Sequence, residues 1–548
     1  VRRHKKKLIL TSFLVAIIAA PVLASNGAKL TSYGVRAAGR GGVDYAFADD
    51  ATAPATNPAG IAYTSNRLDQ TWVAAYAMSD FTDSFKTWNS TNWAVAVPAY
   101  SFGVVFDPST SWHVGDLFDL GNWGLRHGAN DPPDDEKKDD SLPPPPKPTV
   151  PLGGGQGGTA GPGSSSSVGE PSDEELYGGR VHFGFGVFPV TGGTFRYDHI
   201  TTNFWSPASL TYAGGATELA FAPSVAFRII GGRDFSLSLG YSPQVHYATF
   251  ALEGPIEQPN TTLSPNFRFS SIFVGSTSLQ TYAISHNMST YGFSQRFGIK
   301  ATTPFFSAGL VYQDRTYLQD FLGSSYVDAS TQVARLTTNN PALLQVVDPR
   351  INPSLGFVSN YGMRIQNFQQ PRQIGAGLAF TPGPRFSLGL DYTFIHWAEF
   401  FRVFQVRLSN GSNPNLDIMT SPTVKVRVPL EYKDQHVIAV GASVVAIEGD
   451  DIVPGVPSFR LILRAGYNWA QQPVPANNAI PQTPIYYEHH VSGGITFEWG
   501  PYLDFSAAVE YALPSTVTTG NSITNSDLSN SRQTSSLITM MVGLGVNF

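Results

Sequence analysis

The sequence predicts an all-β fold: a transmembrane antiparallel β-barrel of about 14 strands, preceded by a compact segment packed in the lumen. Three observations predict it. Apolar residues recur with a period of two over stretches of about 9–11 residues or more, the length of a tilted membrane crossing. Only 14% of residues are charged while 12% are aromatic, against roughly 25% charged in ordinary soluble domains. Short turns such as "TPGPR" (381–385) and "WGP" (499–501) alternate with long polar loops such as 514–536, the asymmetry of membrane barrels.

The bulk numbers exclude several alternatives. The chain has 548 residues, a net charge of −6 and no cysteine. The charge argues against a general nucleic-acid binder, which needs a basic patch. The missing thiols exclude disulfides, Cys-ligated zinc, thiol catalysis and a lipoprotein anchor. After the N-terminus no apolar run reaches the roughly 18 residues of a membrane helix.

In chain order, "VRRHKKK" and "LILTSFLVAIIAAPVLA" read as the basic and apolar regions of a signal peptide, residues 1–24, cut between Ala24 and Ser25. A membrane anchor is the competing reading. Residues 25–68 do not alternate. They are dense in Gly and Ala and run into "ADDATAPATNPAG" (48–60), too compact and irregular for a strand. Packed in the lumen, the segment reads as a plug; an ordinary surface turn is the plainer alternative. Pro58 fixes its own backbone and pushes Asn57 out of the helical region. Asn57 can then bond nearby backbone. The acids Asp49 and Asp50 are expected to pair with lumenal bases such as Arg460 or Arg464.

The barrel occupies residues 69–548. Candidate strands lie near 70–78, 92–106, 180–197, 217–230, 235–248, 291–302, 305–317, 371–381, 385–407, 435–447, 459–470, 489–499, 502–513 and 537–548. In the last, Ile538, Met540, Val542, Leu544, Val546 and Phe548 share a greasy face opposite Thr539, Met541, Gly543, Gly545 and Asn547. "FSLGLDYTF" and "LDFSAAVEYAL" repeat the pattern. The terminal Phe548 is similar to the aromatic signal read by the barrel assembly machinery. Residues 107–179 interrupt the series with "DPPDDEKKDDSLPPPPKP" and "GGGQGGTAGPGSSSS", an acidic Pro-rich stretch and a Gly/Ser linker that cannot bury a core, so disorder is expected. Strand parity puts this insertion on the periplasmic side, either as a loop expansion or as a tether.

The N-terminal segment resembles the hatch of the FadL family, outer-membrane transporters of long-chain fatty acids and other hydrophobic compounds. The resemblance rests on Gly39, Gly41 and Gly42, then Asp49 and Asp50, then Asn57, Pro58 and Ala59. It continues in "QPRQIGAGLAFTPGPRFSLGLDYTFIHWAEF" (370–400) and in "LRAGYNWAQQPVP" followed by "HHVSGGITF". It implies capture of a hydrophobic ligand at an outer groove, passage to a lumenal pocket, and release past a shifted hatch through a gap at a kinked third strand.

Candidate parts follow from that implication. Pro189, Gly192 and Gly193 mark a kink, or alternatively a bend at the rim. Ile272, Phe273, Val274, Leu279 and Tyr282 on one loop, with Leu318, Phe321, Leu322, Leu343, Leu344, Val346 and Val347 on another, form the groove or a lid. Arg36 and Arg40 are candidates for a ligand carboxylate. The expected partners are a hydrophobic small molecule, outer-membrane lipid and the assembly machinery, with no nucleic acid, cofactor or metal and a monomeric state. A general porin or adhesin is the alternative function. An outer-membrane hydrolase is disfavoured, because the histidines sit in no Ser–His arrangement and His489 and His490 point to opposite faces.

Overall fold

A computed structural model describes residues 25–26, 29–82, 87–88, 99–108, 180–200, 210–232, 234–259, 278–338, 342, 344, 348–399, 401–419, 422–449, 458–482, 486–524 and 528–548. The predicted signal peptide, nearly all of the 107–179 insertion, and the groove candidates Ile272, Phe273, Val274, Leu343, Val346 and Val347 lie outside them.

Fourteen antiparallel strands close into one barrel. They are β1 (Arg67–Thr82), β2 (Thr87–Trp88 and Ala99–Phe106), β3 (Val181–Ile200), β4 (Leu210–Phe221 and Ser224–Ile230), β5 (Ser236–Pro259), β6 (Ser278–Thr302), β7 (Phe306–Gln313, Tyr317–Leu318 and Phe321–Asp328) and β8 (Val358–Gln366 and Gln373–Gly383). Then come β9 (Phe386–Ile395 and Val403–Ser409), β10 (Thr423–Pro429 and Gln435–Gly449), β11 (Phe459–Ala470), β12 (His489–Trp499), β13 (Leu503–Thr518) and β14 (Arg532–Asn547). The β14–β1 pairing, from Arg532↔Thr82 to Asn547↔Arg67, closes the circle. Each strand thereby has a neighbour on both sides among the described residues, as a sheet surrounded by lipid requires.

The alternation is that of a barrel turned inside out relative to a soluble protein. On β9 Phe386, Leu388, Leu390 and Tyr392 are exposed while Asp391 is buried. On β13 Phe505 and Val509 face out while Asp504, Ser506 and Glu510 face in. Met540 and Val542 do the same opposite Thr539 on β14. Among the described residues no helix is long and apolar enough to cross a membrane.

At one end the connections are short, as at 383–386 and 499–503. The insertion leaves and rejoins at this same end, where Arg180 and Asp107 form a 3.2 Å ion pair. At the other end strands continue beyond the wall and carry α2 (Ser330–Thr337) and α3 (Pro414–Met419). Val333, Leu344, Ile351, Phe357, Leu416 and Met419 pack together there. The stretch from Phe321 to Asp328, expected as loop, is strand paired to both β6 and β8.

Inside lies the N-terminal segment: a two-residue ladder (Ser25–Asn26 with Lys29–Leu30), α1 (Val35–Gly39), and two 3-10 turns at Ala53–Ala55 and Pro58–Tyr63. α1 packs on the inward faces of β11 to β14, and the second 3-10 turn on β3 to β6.

Candidate functional site

The "NPA" step is built as a cap. Asn57 is extended, and its Oδ1 accepts a 3.1 Å hydrogen bond from the Ala59 amide, starting the turn in which Pro58 stands first. Such a cap satisfies an amide that the helix leaves open. The other end of the side chain reaches out: Nδ2 donates to the Tyr45 carbonyl at 2.8 Å and to the Ile299 carbonyl of β6 at 3.1 Å. Wall glycines make this approach possible. A Cβ at Gly298 would collide with Asn57 Oδ1, and one at Gly240 with the Pro58 carbonyl.

The glycine cluster has a second task. Gly41 and Gly42 take φ of 73° and 90°, the left-handed region that ends a helix. Their amides return to the Ala38 and Ala37 carbonyls. Gly39 packs on Gly494 of β12.

Asp391, which sequence reading placed on an inward face without a role, accepts the backbone amides of Asp44 at 2.7 Å and Tyr45 at 2.9 Å. The Tyr45 hydroxyl meets Thr393 at 3.0 Å. The one available signal was an acid alternating with greasy residues in "FSLGLDYTF".

The charges pair differently from the expectation. Asp49 binds Arg40, at 3.0 and 3.1 Å, and not Arg460 or Arg464. Arg40 also holds Asp44 at 3.1 Å and lies over the Phe47 ring, 4.2 Å from its centroid. Asp50 accepts from the Thr52 amide at 2.8 Å and from its hydroxyl. Arg460 pairs with Glu498 and Glu448 on the wall. Arg36 donates to Asp504 at 3.1 Å, which also takes Arg67. Both proposed carboxylate binders, Arg36 and Arg40, thus already face carboxylates of the chain itself. Carboxylates inside the segment and on β13 take up their terminal nitrogens, while the Nε of each is buried without a hydrogen-bond partner.

Burial dominates the ionisation of the segment. It pushes the Asp50 carboxyl up to about 7, aided by the nearby charges of Asp69, Asp44 and Asp49. It pushes Asp44 up to about 6 against the pull of Arg40. Lys29, also buried, is pushed down to about 7. Asp49 is the exception: burial works against its charge, but Arg40 outweighs it and holds the carboxyl well below the usual range.

Beyond the segment one stretch of the lumen is lined by apolar side chains. Phe321 and Leu318 of β7, Met288 of β6, Ile365 of β8, Val406 of β9 and Val426 of β10 belong to one buried cluster. Phe250, Phe321, Phe368, Phe401 and Phe404 form a chain of ring contacts 5.3–6.4 Å apart. Of the groove candidates, Leu318 and Phe321 point into this lumen and Leu344 into the outer cap. Leu322 is 63% exposed on the outer wall, since its neighbour in the alternation points inward. Leu279 and Tyr282 lie on β6 itself, paired with β5, and not on a loop.

At β3 the register against β4 shifts between Pro189 and Thr191. Gly192 and Gly193 are regularly paired with Thr217 and Ala216, so the irregularity belongs to Pro189. Pairing with β2 reaches Phe102↔Val187 and goes no further among the described residues, although Ala99, Tyr100 and Ser101 stay paired to β1. Pro189, two residues on, has no N–H to continue the ladder. Phe188, buried beside it, packs on Ala55 and Tyr33 of the N-terminal segment; sequence reading gave it no role. His489 and His490 do lie on opposite faces of β12, and among the described residues no cluster of three metal-ligating side chains occurs.

No family model matches the chain, and no curated protein matches it in sequence. Solved structures do. The Ralstonia pickettii toluene transporter TbuX is 15% identical, with a TM-score of 0.59, covering 94% of this chain and 99% of its own. The Pseudomonas putida toluene transporter TodX is 15% identical, with a TM-score of 0.57 and coverages of 95% and 99%. A Pseudomonas aeruginosa FadL homologue is 14% identical, with a TM-score of 0.56 and coverages of 95% and 100%. At such identities the likeness is one of architecture, and it spans essentially the whole of each molecule: the chain shares its fold with these toluene transporters and with the FadL homologue.

Proposed function

We propose that the chain is a passive conduit for hydrophobic compounds across a bacterial outer membrane, with residues 25–68 acting as a hatch. The observation that carries this reading is the lumen itself, apolar and ring-lined on one side of a segment tied to the wall by Asn57 and Asp391. A water-filled pore would gain nothing from such a lining, whereas a greasy molecule is stabilised by it at roughly 25 cal/mol per Å² of apolar surface removed from water. The fold shared with toluene transporters and a FadL homologue supports the same substrate class. Because Arg36 and Arg40 are already paired, neutral aromatic compounds fit this lumen better than fatty acids.

Release follows the interrupted β2–β3 pairing. Ligand reaching the hatch displaces the segment from Phe188, and the opening beside Pro189 leads it sideways between strands. No energy-coupling motif is required; flow follows the ligand's gradient. The test is uptake of labelled toluene and labelled oleate by cells lacking their own transporter. Expression of the chain is expected to raise toluene entry, and an Asn57→Ala/Pro58→Ala variant to alter it. Entry of neither compound above background, together with a large steady conductance in planar bilayers, would identify a general porin instead.

A further inference from the structure

Between the hatch and the short-turn end of the barrel lies a cavity of ≈ 250 Å³. Its charged lining is one-sided: Arg36, Arg40, Arg385, Arg460 and Arg464 against Asp49 and Glu498. Four of the five arginines have carboxylate partners: Arg40 with Asp44 and Asp49, Arg36 with Asp504, Arg460 with Glu448 and Glu498, and Arg385 with Glu448. Arg464 differs. It is 8% exposed, and its Nη1 donates to the neutral hydroxyl of Thr496. Among the described residues no carboxylate stands within ion-pair distance of it, the partners of its neighbours being those just named.

A buried guanidinium held by one hydroxyl is costly, because a charge removed from water calls for an opposite charge and for acceptors to fill its fork. The cavity supplies the room for both. A water molecule's share of liquid volume is about 30 Å³, so this space holds an inorganic phosphate or a carboxylate with a few carbons attached. We propose that the cavity is an oxyanion site, anchored on Arg464 and taking a carboxylate or a phosphate group. Its walls belong to two bodies: Arg36 and Arg40 to the hatch, Arg460 and Arg464 to β11. An anion bound there bridges them and favours the seated hatch, by an amount that grows with the logarithm of its concentration once above Kd.

The site does not depend on what the lumen carries, so binding is measured on its own. The full mature chain, purified in non-ionic detergent at constant chloride, is titrated calorimetrically with inorganic phosphate and, separately, with butyrate. Saturable binding of at least one is expected, near one anion per chain, and the preferred arm tells phosphate from carboxylate. Arg464→Gln is expected to weaken it about tenfold or more, the loss of one or two charge-assisted hydrogen bonds. Arg464→Lys keeps the charge but not the fork, and is expected to bind measurably more weakly than the parent. Heat-modifiable gel mobility reports that each variant is folded; where the glutamine variant is not, the lysine variant decides. No saturable binding of either anion by the parent chain overturns the site. So does an affinity that the substitutions leave unchanged.

Discussion

Asn57 Nδ2 donates to the carbonyl of Ile299 on β6 at 3.1 Å, so one side chain both starts a turn in the hatch and moors it to the wall. The two partners are 242 residues apart in sequence. The same amide group reaches the Tyr45 carbonyl within the hatch, which makes Asn57 the point where the hatch's own folding and its seating coincide.

Replacing Asn57 with Ala removes all three hydrogen bonds. A lost cap costs about 0.5–2 kcal/mol and each further bond about 1 kcal/mol, so the segment's own fold and its seating together weaken by about 2–4 kcal/mol, about 1 kcal/mol of it from the bond to the wall. Planar-bilayer recordings are expected to show more frequent opening, while heat-modifiable gel mobility shows an intact barrel. Recordings indistinguishable from the parent's would mean the tie does not hold the hatch.

Gly298→Val attacks the same contact from the wall. The strand itself tolerates the change, since β-branched residues suit strands, but the side chain occupies the place of Asn57 Oδ1. The chain has no cysteine, so Ser32→Cys gives a unique reporter at a position now buried. Thiol labelling of Ser32→Cys is expected to accelerate about tenfold or more in the valine background, the factor for about 1.4 kcal/mol lost from seating. Equal labelling rates would show that the hatch seats without needing that glycine.

Seating should also depend on pH. The seated hatch holds Asp50 near 7 and Asp44 near 6, against 3.8 in water. For a carboxyl whose value is raised, the stabilisation is complete below the free value and is lost as pH rises through the seated one. Seating therefore weakens from about pH 4 to about pH 7. Above that, Lys29, depressed to about 7 from 10.5, works in the opposite sense, because its neutral seated form meets less competition as the released lysine loses its proton. Opening frequency is expected to peak near neutrality; Asp50→Asn flattens the rising side and Lys29→Gln the falling one. A profile that falls steadily from acid to neutral pH contradicts the carboxyl assignment, and one that does not fall above about pH 7 contradicts that of Lys29.

Pro189→Ala restores a donor opposite β2. If the interrupted pairing is the exit, the repaired ladder narrows it, and toluene uptake falls several-fold with hatch labelling unchanged. Uptake at the parent's rate would place the exit elsewhere. Phe188→Ala acts in the other direction by emptying the space between β3 and Ala55.

The wall was legible because lipid on one side and a polar lumen on the other impose a period of two on β9, β13 and β14. The signal fades where neither solvent is present. Residues 321–328 lie in the outer part of the barrel and read "FLGSSYVD", with Gly and Ser removing the contrast that marks a strand. The N-terminal segment was legible as a composition and a motif, but not as a set of contacts. The Arg40–Asp44 pair, four residues apart on the turn after α1, was within reach of spacing alone. The Asp391–Asp44 bond joins residues 347 apart, and no local pattern encodes it. Nothing in the local sequence marks Gly298 as special, because what it makes room for lies in another part of the chain.

Arg40 keeps both its carboxylates on the hatch. In the proposed opening the most deeply buried cation travels with its counter-charges, and Arg40 is not stripped of its partners. The bridge from Arg36 to the wall, at Asp504 and Glu498, is the ionic contact that must part. On the proposed reading the segment is a nearly self-neutralised cassette hinged on Arg36, and the ionic-strength dependence of its motion should be that of this one cation and its two wall carboxylates, shallow despite the many charges that surround it.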